Sequence, residues 1–273
     1  MTPADPKPAA SVLLVRAAPG GAAEPLEVYM IRRQKGMKFL GGYYAFPGGK
    51  VDVEDGAGDA AARCHGLTSS EAEALVPRDA GVPSFAYWMT SVRELLEETG
   101  LLLACDAGGR AIDAHDPLVA ARIDRLRKSL MAGEAPFATL LTREAWYADA
   151  RPLRYLSHFI TPTSSPIRFS ARFFLCPVPV DQLPRLYTEE TSEGFWIAPG
   201  IGYQRFCAGE MAMAEPAEYG LGYLAQFDSF DDLWAAHADG AHKFHGIIDR
   251  IDTFWKEFDW NAAPWRNPRG PRS

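Results

Sequence analysis

The apolar positions of this chain recur with two periods, and the change from one to the other marks out its elements. Ser11-Val12-Leu13-Leu14-Val15-Arg16 is a short β-branched run that predicts a strand. Leu26 to Arg33 alternates into a second strand, and the loop through Gly20-Gly21 makes the pair a hairpin with an extended connection. Residues 1–10, with Pro3, Pro6 and Pro8, read as a flexible lead-in. A third strand is expected over Gly41 to Phe46, running into the turn Pro47-Gly48-Gly49, where glycine permits close backbone approach and φ > 0. The stretch 56–83 is rich in Ala, Gly and Asp. Within it, Thr68-Ser69-Ser70-Glu71 has capping-box spacing and predicts a short helix over 69–76. From about Ser84 the period becomes helical: Phe85, Trp88, Met89, Val92, Leu95 and Leu96 form one apolar stripe, a core face. Gly100 suits the left-handed position that stops a helix. A further strand is expected to begin at Leu101.

In the second half, Asp116-Pro117 is a helix start, with a capping acid and proline in the first turn, and the helix extends to about Met131. Its basic residues Arg122, Arg125, Arg127 and Lys128 read as a solvated face. Pro136 opens another helical stretch to about Ala145, so that 113–148 forms a helical subdomain. Strands are predicted over 154–160 and 168–176, joined by a turn from Thr161 to Pro166, and over 194–198, ended by Pro199. His158 reads as a satisfied core or edge histidine. Arg168 and Arg172, an even number apart, share a strand face, where contact with a phosphate or acyl group and pairing with core carboxylates are both open. Residues 206–273 read as a helical extension and tail, with Ser229 capping a helix that carries Leu233 and Trp234, and with His237, His242 and His245 structural or at the surface. The expected organisation is therefore one domain over 11–205 between a flexible start and this extension.

The strongest chemical signal is Arg93-Glu94-Leu95-Leu96-Glu97-Glu98-Thr99-Gly100-Leu101. Glu94, Glu97 and Glu98, at i, i+3 and i+4, lie on one helix face about 5–6 Å apart at Cβ. Like charges that close repel, so a solvated acidic face competes with a reading in which a hard divalent cation, Mg²⁺ or Mn²⁺, offsets them. A second stretch, Phe46-Pro47-Gly48-Gly49-Lys50-Val51-Asp52-Val53-Glu54-Asp55, leads from a glycine turn into further acids.

Together the two stretches resemble the Nudix box, the signature of the Nudix hydrolase superfamily: Gly, five residues, Glu, seven residues, then Arg-Glu-hydrophobic-any-Glu-Glu-any-Gly-hydrophobic. Gly49 matches the box glycine, and Arg93, Glu94, Leu95, Glu97, Glu98, Gly100 and Leu101 match the second half. Two departures stand out. Asp55 occupies the place of the first Glu, and Arg93 follows it by 38 positions, so the box is interrupted. Either Asp55 or a shifted Glu54 then meets Arg93. An interrupted box resembles the branch that holds the peroxisomal coenzyme A diphosphatase and its bacterial relatives. The likeness extends to Ile31-Arg32-Arg33, Thr161-Pro162, Arg168 to Phe174 and Glu190 to Trp196.

The resemblance implies an α/β (α+β) fold, a Nudix-type α/β/α sandwich with a mixed sheet, here with a helical subdomain. It also implies hydrolysis of a diphosphate in a nucleoside diphosphate-linked small molecule, with Mg²⁺ or Mn²⁺ as cofactor. Glu94, Glu97 and Glu98 are then the metal ligands. Arg93 braces them by pairing with Asp55 or Glu97, and Gly48 and Gly49 let the loop pass close to helix and ligand. Arg32 and Arg33 are candidates for substrate phosphates, with Lys35 and Lys38 nearby; plain loop charges are the even alternative. A late acidic loop in such enzymes supplies a ligand or base, for which Glu190 and Glu193 are the candidates. Coenzyme A or acyl-CoA is the favoured substrate. A dinucleotide, NADH or an ADP-sugar, and a non-catalytic nucleotide-binding regulator, are the alternatives.

Composition narrows the rest. Net charge of −7, from 28 Lys and Arg against 35 Asp and Glu, argues against a nucleic-acid partner. The chain has no run of 18 apolar residues, so no membrane association is expected, and Met1 to Ala10 lack the apolar core of a signal peptide. The scattered Cys64, Cys105, Cys176 and Cys207 read as reduced thiols rather than disulfides or a zinc site, which points to the cytoplasm. A homodimer is the assembly to test for.

Overall fold

The structure, a computed structural model, describes residues 4–76, 78, 81–189 and 191–237. In chain order the elements are β1 (Lys7–Ala17), β2 (Leu26–Arg33), β3 (Tyr44–Ala45), β4 (Gly48–Lys50), α1 (Gly58–Ala62), β5 (Cys64–His65), α2 (Ser69–Leu75), α3 (Ala86–Thr99), β6 (Ala104–Cys105), α4 (Pro117–Met131) and α5 (Phe137–Arg143). There follow β7 (Tyr147–Asp149), β8 (Arg154–Ile160), β9 (Phe169–Pro177), β10 (Thr191–Ile197), α6 (Pro199–Cys207), α7 (Glu215–Leu224) and α8 (Phe230–Ala235). A single 3₁₀ turn, Val53–Gly56, follows β4.

A seven-stranded mixed sheet runs β10-β2-β1-β9-β8, with β3 added to β2 and β4 to β1. The central pair β1 and β9 is parallel, and the others are antiparallel. Both faces of β1 are buried, which explains why its apolar run is continuous rather than alternating. Ala10, Val12 and Leu14 pack in a core with Trp88, Val92, Leu95 and Leu96 of α3 and with Phe174 of β9. Leu13 and Val15 pack in a second core with Phe173, Leu175 and the α7 residues Ala217 and Leu221. The sheet is thus the middle layer of an α/β/α sandwich, as the resemblance implies. Aromatic pairs hold each layer to it: Trp88 of α3 lies edge-to-face against Phe174 at 4.8 Å, and Tyr219 of α7 stacks on Phe159 at 6.1 Å between ring centroids. A small sheet, β5-β7-β6, lies under α1 and α5.

Local signals account for the helix ends. Thr68 and Glu71 form the capping box of α2, and Asp116 caps α4 ahead of Pro117. Ser229 accepts from the Asp232 amide at the start of α8. Gly100 ends α3 with φ of 73°.

Four expectations change. β1 starts at Lys7 rather than Ser11, because its parallel ladder with β9 continues out to Lys7–Phe169 and tertiary pairing overrides the prolines. The strand expected from Leu101 shrinks to Ala104–Cys105. The strand expected over Gly41 to Phe46 is reduced to Tyr44–Ala45. The basic face of α4 is divided: Arg125 and Lys128 are exposed, Arg122 lies 4.2 Å over Trp146, and Arg127 is buried. His158 bonds Ser170 at 2.8 Å, and buried His237 bonds Tyr223 and the Leu233 carbonyl, both structural placements. His242, His245 and the tail lie outside the described residues.

Candidate functional site

The site is assembled where α3 passes under the β4 bend. One face of α3 is occupied by the core, which turns Arg93, Glu94, Glu97 and Glu98 the other way. Arg93, only 5% exposed, is the centre. Its Nε donates to both oxygens of Asp55 at 3.1 Å, and Nη2 donates to Asp55 Oδ2 at 2.9 Å and to the Lys50 carbonyl at 2.7 Å. Its Nη1 donates to Glu94 Oε1 at 2.8 Å and to Glu97 Oε1 at 3.0 Å. The expected alternatives for Arg93, Asp55 or Glu97, are therefore both realised. Asp55 rather than Glu54 is the partner across the interruption: the 3₁₀ turn presents it directly, and Thr90 Oγ1 donates to it at 2.8 Å.

The bend is equally constrained. A Cβ on Gly49 would stand 2.6 Å from Glu94 Cδ, so only glycine lets the strand pass this close to the carboxylate. The Gly48 amide donates to Glu98 Oε2 at 2.7 Å. Ser11 Oγ donates to the Pro47 carbonyl at 3.0 Å, and Ser11 pairs with Gly48 in the β1–β4 ladder.

Electrostatically the cluster is a buried carboxylate group gathered around one cation. Burial first, then the nearby Glu97 and Asp55 charges, push the Glu94 carboxyl up to about 8 against the pull of Arg93. Burial likewise raises Glu97. Burial opposes the charge of Arg93, but Glu94, Asp55 and Glu97 outweigh it and hold the guanidinium protonated.

Above the bend opens a cavity of about 770 Å³. Gly48, Gly49, Lys50, Asp52, Glu94 and Glu97 form its polar floor, and Arg33 reaches it from the end of β2. Its walls are apolar, from Phe39 and Leu40 before β3, Phe159 and Phe173 on the sheet, and Met213 before α7.

The structure thus brings Arg33, Gly48, Gly49, Arg93, Glu94 and Glu97 together. Glu98 sits behind Gly48. Arg32 and Glu193 are placed elsewhere: they pair with each other at 2.7 Å beside Tyr44, and neither lines the cavity. Glu190 lies outside the described residues. Lys35 and Lys38 are not cavity-lining. Of the later arginines, Arg168 donates to the Thr161 carbonyl, and Arg172 is buried with its guanidinium 5.1 Å from the Tyr87 ring. Sequence reasoning missed Thr90 and Asp52. Thr90, one turn before Arg93 on the same face, carried a usable signal. The apolar walls carried none, since Phe39 with Leu40, Phe159, Phe173 and Met213 come from four separate segments.

Over residues 7–224 the chain matches the family described as the NUDT19 Nudix domain. Putative nudix hydrolase 7 of Caenorhabditis elegans is 28% identical over 205 residues, which is 75% of this chain and 57% of that protein. The chain therefore spans little more than half the length of that relative. A solved Nudix hydrolase from Alicyclobacillus acidocaldarius superposes with a TM-score of 0.69 at 29% identity, covering 85% of this chain and 96% of that one.

Proposed function

Since the chain belongs to the Nudix hydrolase superfamily, we propose that it hydrolyses the diphosphate linkage of a nucleoside diphosphate-linked small molecule, with coenzyme A or acyl-CoA as substrate and Mg²⁺ or Mn²⁺ as cofactor. The observation that carries this reading is the cavity itself. Its floor is a bend backed by Glu94 and Glu97, both within 3.0 Å of one arginine nitrogen, and its walls are apolar.

The donor chemistry fits a hard divalent ion: the oxygens are carboxylate, and Glu94 is buried so far that only a cation offsets its ionisation. Among the described residues no three acidic, histidine or cysteine side chains are already gathered as a ligand set. Glu94 and Glu97 would hold the ion, with Glu98 as the further donor behind Gly48. When bound, it would neutralise diphosphate oxygens and lower the pKa of a water.

The protein's own groups do the rest. Arg93 keeps Glu94 and Glu97 oriented by charge-assisted hydrogen bonds. Arg33 and Lys50, which both line the cavity, are cations available to a phosphate. Glu94, with its raised pKa, can hold or release a proton near neutral pH. Phe39, Leu40 and Phe173 exclude water and suit an apolar substrate end, which favours acyl-CoA over a second nucleoside. We place the protein in the cytoplasm on the same footing: its four cysteines are free thiols, which suits a reducing compartment. Among the described residues no helix is long and apolar enough to cross a membrane.

The test is a panel of CoA, acyl-CoA, dinucleotides, NADH and ADP-sugars, with products read by mass spectrometry. Adenosine 3′,5′-bisphosphate is expected from CoA and acyl-CoA with Mg²⁺ or Mn²⁺ and not with EDTA. Faster turnover of another diphosphate overturns the substrate, and full turnover by Glu97→Gln and Glu98→Gln proteins overturns the chemistry.

A further inference from the structure

The last turn of α3 is fastened by residues that do not line the cavity. Glu97 and Thr99 have carbonyls in the final turn, where the helix has no amide left to meet them. Arg127 Nε of α4 donates to the Glu97 carbonyl at 2.8 Å, and the Arg185 amide donates to the Thr99 carbonyl at 2.9 Å. The Arg127 guanidinium lies 3.3 Å from the centre of the Tyr187 ring, and its Nη2 is 3.5 Å from Glu189 Oε2. Tyr187 in turn covers Gly100, its hydroxyl 2.7 Å from where a Cβ would stand. A buried cation at a helix C-terminus also complements the helix dipole. Here that terminus carries two of the three acidic side chains assigned to the metal.

We propose that Arg127 is a positioning residue for hydrolysis. By clamping the Glu97 carbonyl between α4 and the 185–189 segment, it sets the register in which Glu97 and Glu98 are presented. This makes α4 a brace for the reactive helix. The inference rests on the metal role given above for those glutamates. Glu94 lies one turn deeper, and Arg93 Nη1 donates to it and to Glu97 alike, so the clamp acts on the backbone of the last turn rather than on either carboxylate directly.

The experiment titrates the full-length protein with Mn²⁺, reads free Mn²⁺ by electron paramagnetic resonance, and measures kcat and KM in parallel. Arg127→Met removes the donors at similar volume, and Arg127→Lys keeps charge without the planar fork. Arg127→Met is expected to bind Mn²⁺ about tenfold more weakly and to lose about tenfold in kcat, the range for groups that orient a metal ligand, with KM little changed. Arg127→Lys should recover part of both. A folded Arg127→Met protein with wild-type Mn²⁺ affinity overturns the proposal, whatever its kcat. Should Arg127→Met fail to fold, Tyr187→Leu removes the stacking platform and leaves the Arg127 donors in place. A weaker Mn²⁺ site there supports the clamp, and an unchanged one overturns it. Wild-type protein that binds no Mn²⁺ overturns the metal reading and the clamp with it.

Discussion

Replacing Gly49 by alanine isolates the geometry of one carboxylate. Gly49 has a backbone conformation open to any residue, so the substitution carries no intrinsic strain, and loss of unfolded-state freedom alone would stabilise by about 0.4–1 kcal/mol. The added methyl, however, would stand 2.6 Å from Glu94 Cδ and 2.7 Å from Oε2, and closer still to Oε1, where 3.4 Å is ordinary contact. Glu94 must therefore retreat by about 1 Å, a displacement able to cost about 10²-fold in rate where reacting groups are aligned. Its retreat also loosens the 2.8 Å bond from Arg93, a charge-assisted contact worth about 1.5–3 kcal/mol. The two stability effects oppose each other, and Tm should move by only a few degrees. Steady-state hydrolysis at saturating Mg²⁺, beside a thermal melt, checks both. A folded Gly49→Ala protein with wild-type kcat refutes the claim that the bend positions Glu94.

Arg93→Met leaves Asp55 and Glu94 buried without their common cation and should cost about 3–5 kcal/mol, read from the urea midpoint. In metal-free protein, the Glu94 carboxyl binds its proton up to about 8 when folded but only to its ordinary 4.5 when unfolded, so stability should fall as pH rises across that window. Melts in EDTA from acid to mildly alkaline pH should show this slope in the wild type and a shallower one in Glu94→Gln. Gly100→Ala forces a left-handed residue with a side chain against Tyr187 and should destabilise by about 1–2 kcal/mol, measured by chemical denaturation. EDTA should abolish turnover while leaving the far-ultraviolet circular dichroism unchanged.

Much of this was legible in the order of residues, because local effects act over a few positions. The stripe from Phe85 to Leu96 places a helix, Gly100 stops it, and the spacing of Glu94, Glu97 and Glu98 puts them on one face. Thr68 with Glu71 and Asp116 with Pro117 specify two helix starts by side chains bonding adjacent amides. What only the tertiary structure decided are the pairings across long separations. It chose Asp55 over Glu54 for Arg93, sent Arg33 to the cavity and Arg32 to Glu193, and drew Arg127 from a presumed solvated face onto the Glu97 carbonyl. Each of these depends on which of several equally charged side chains the packed layers bring within about 3 Å, a distance that hydrophobic period and charge pattern do not encode.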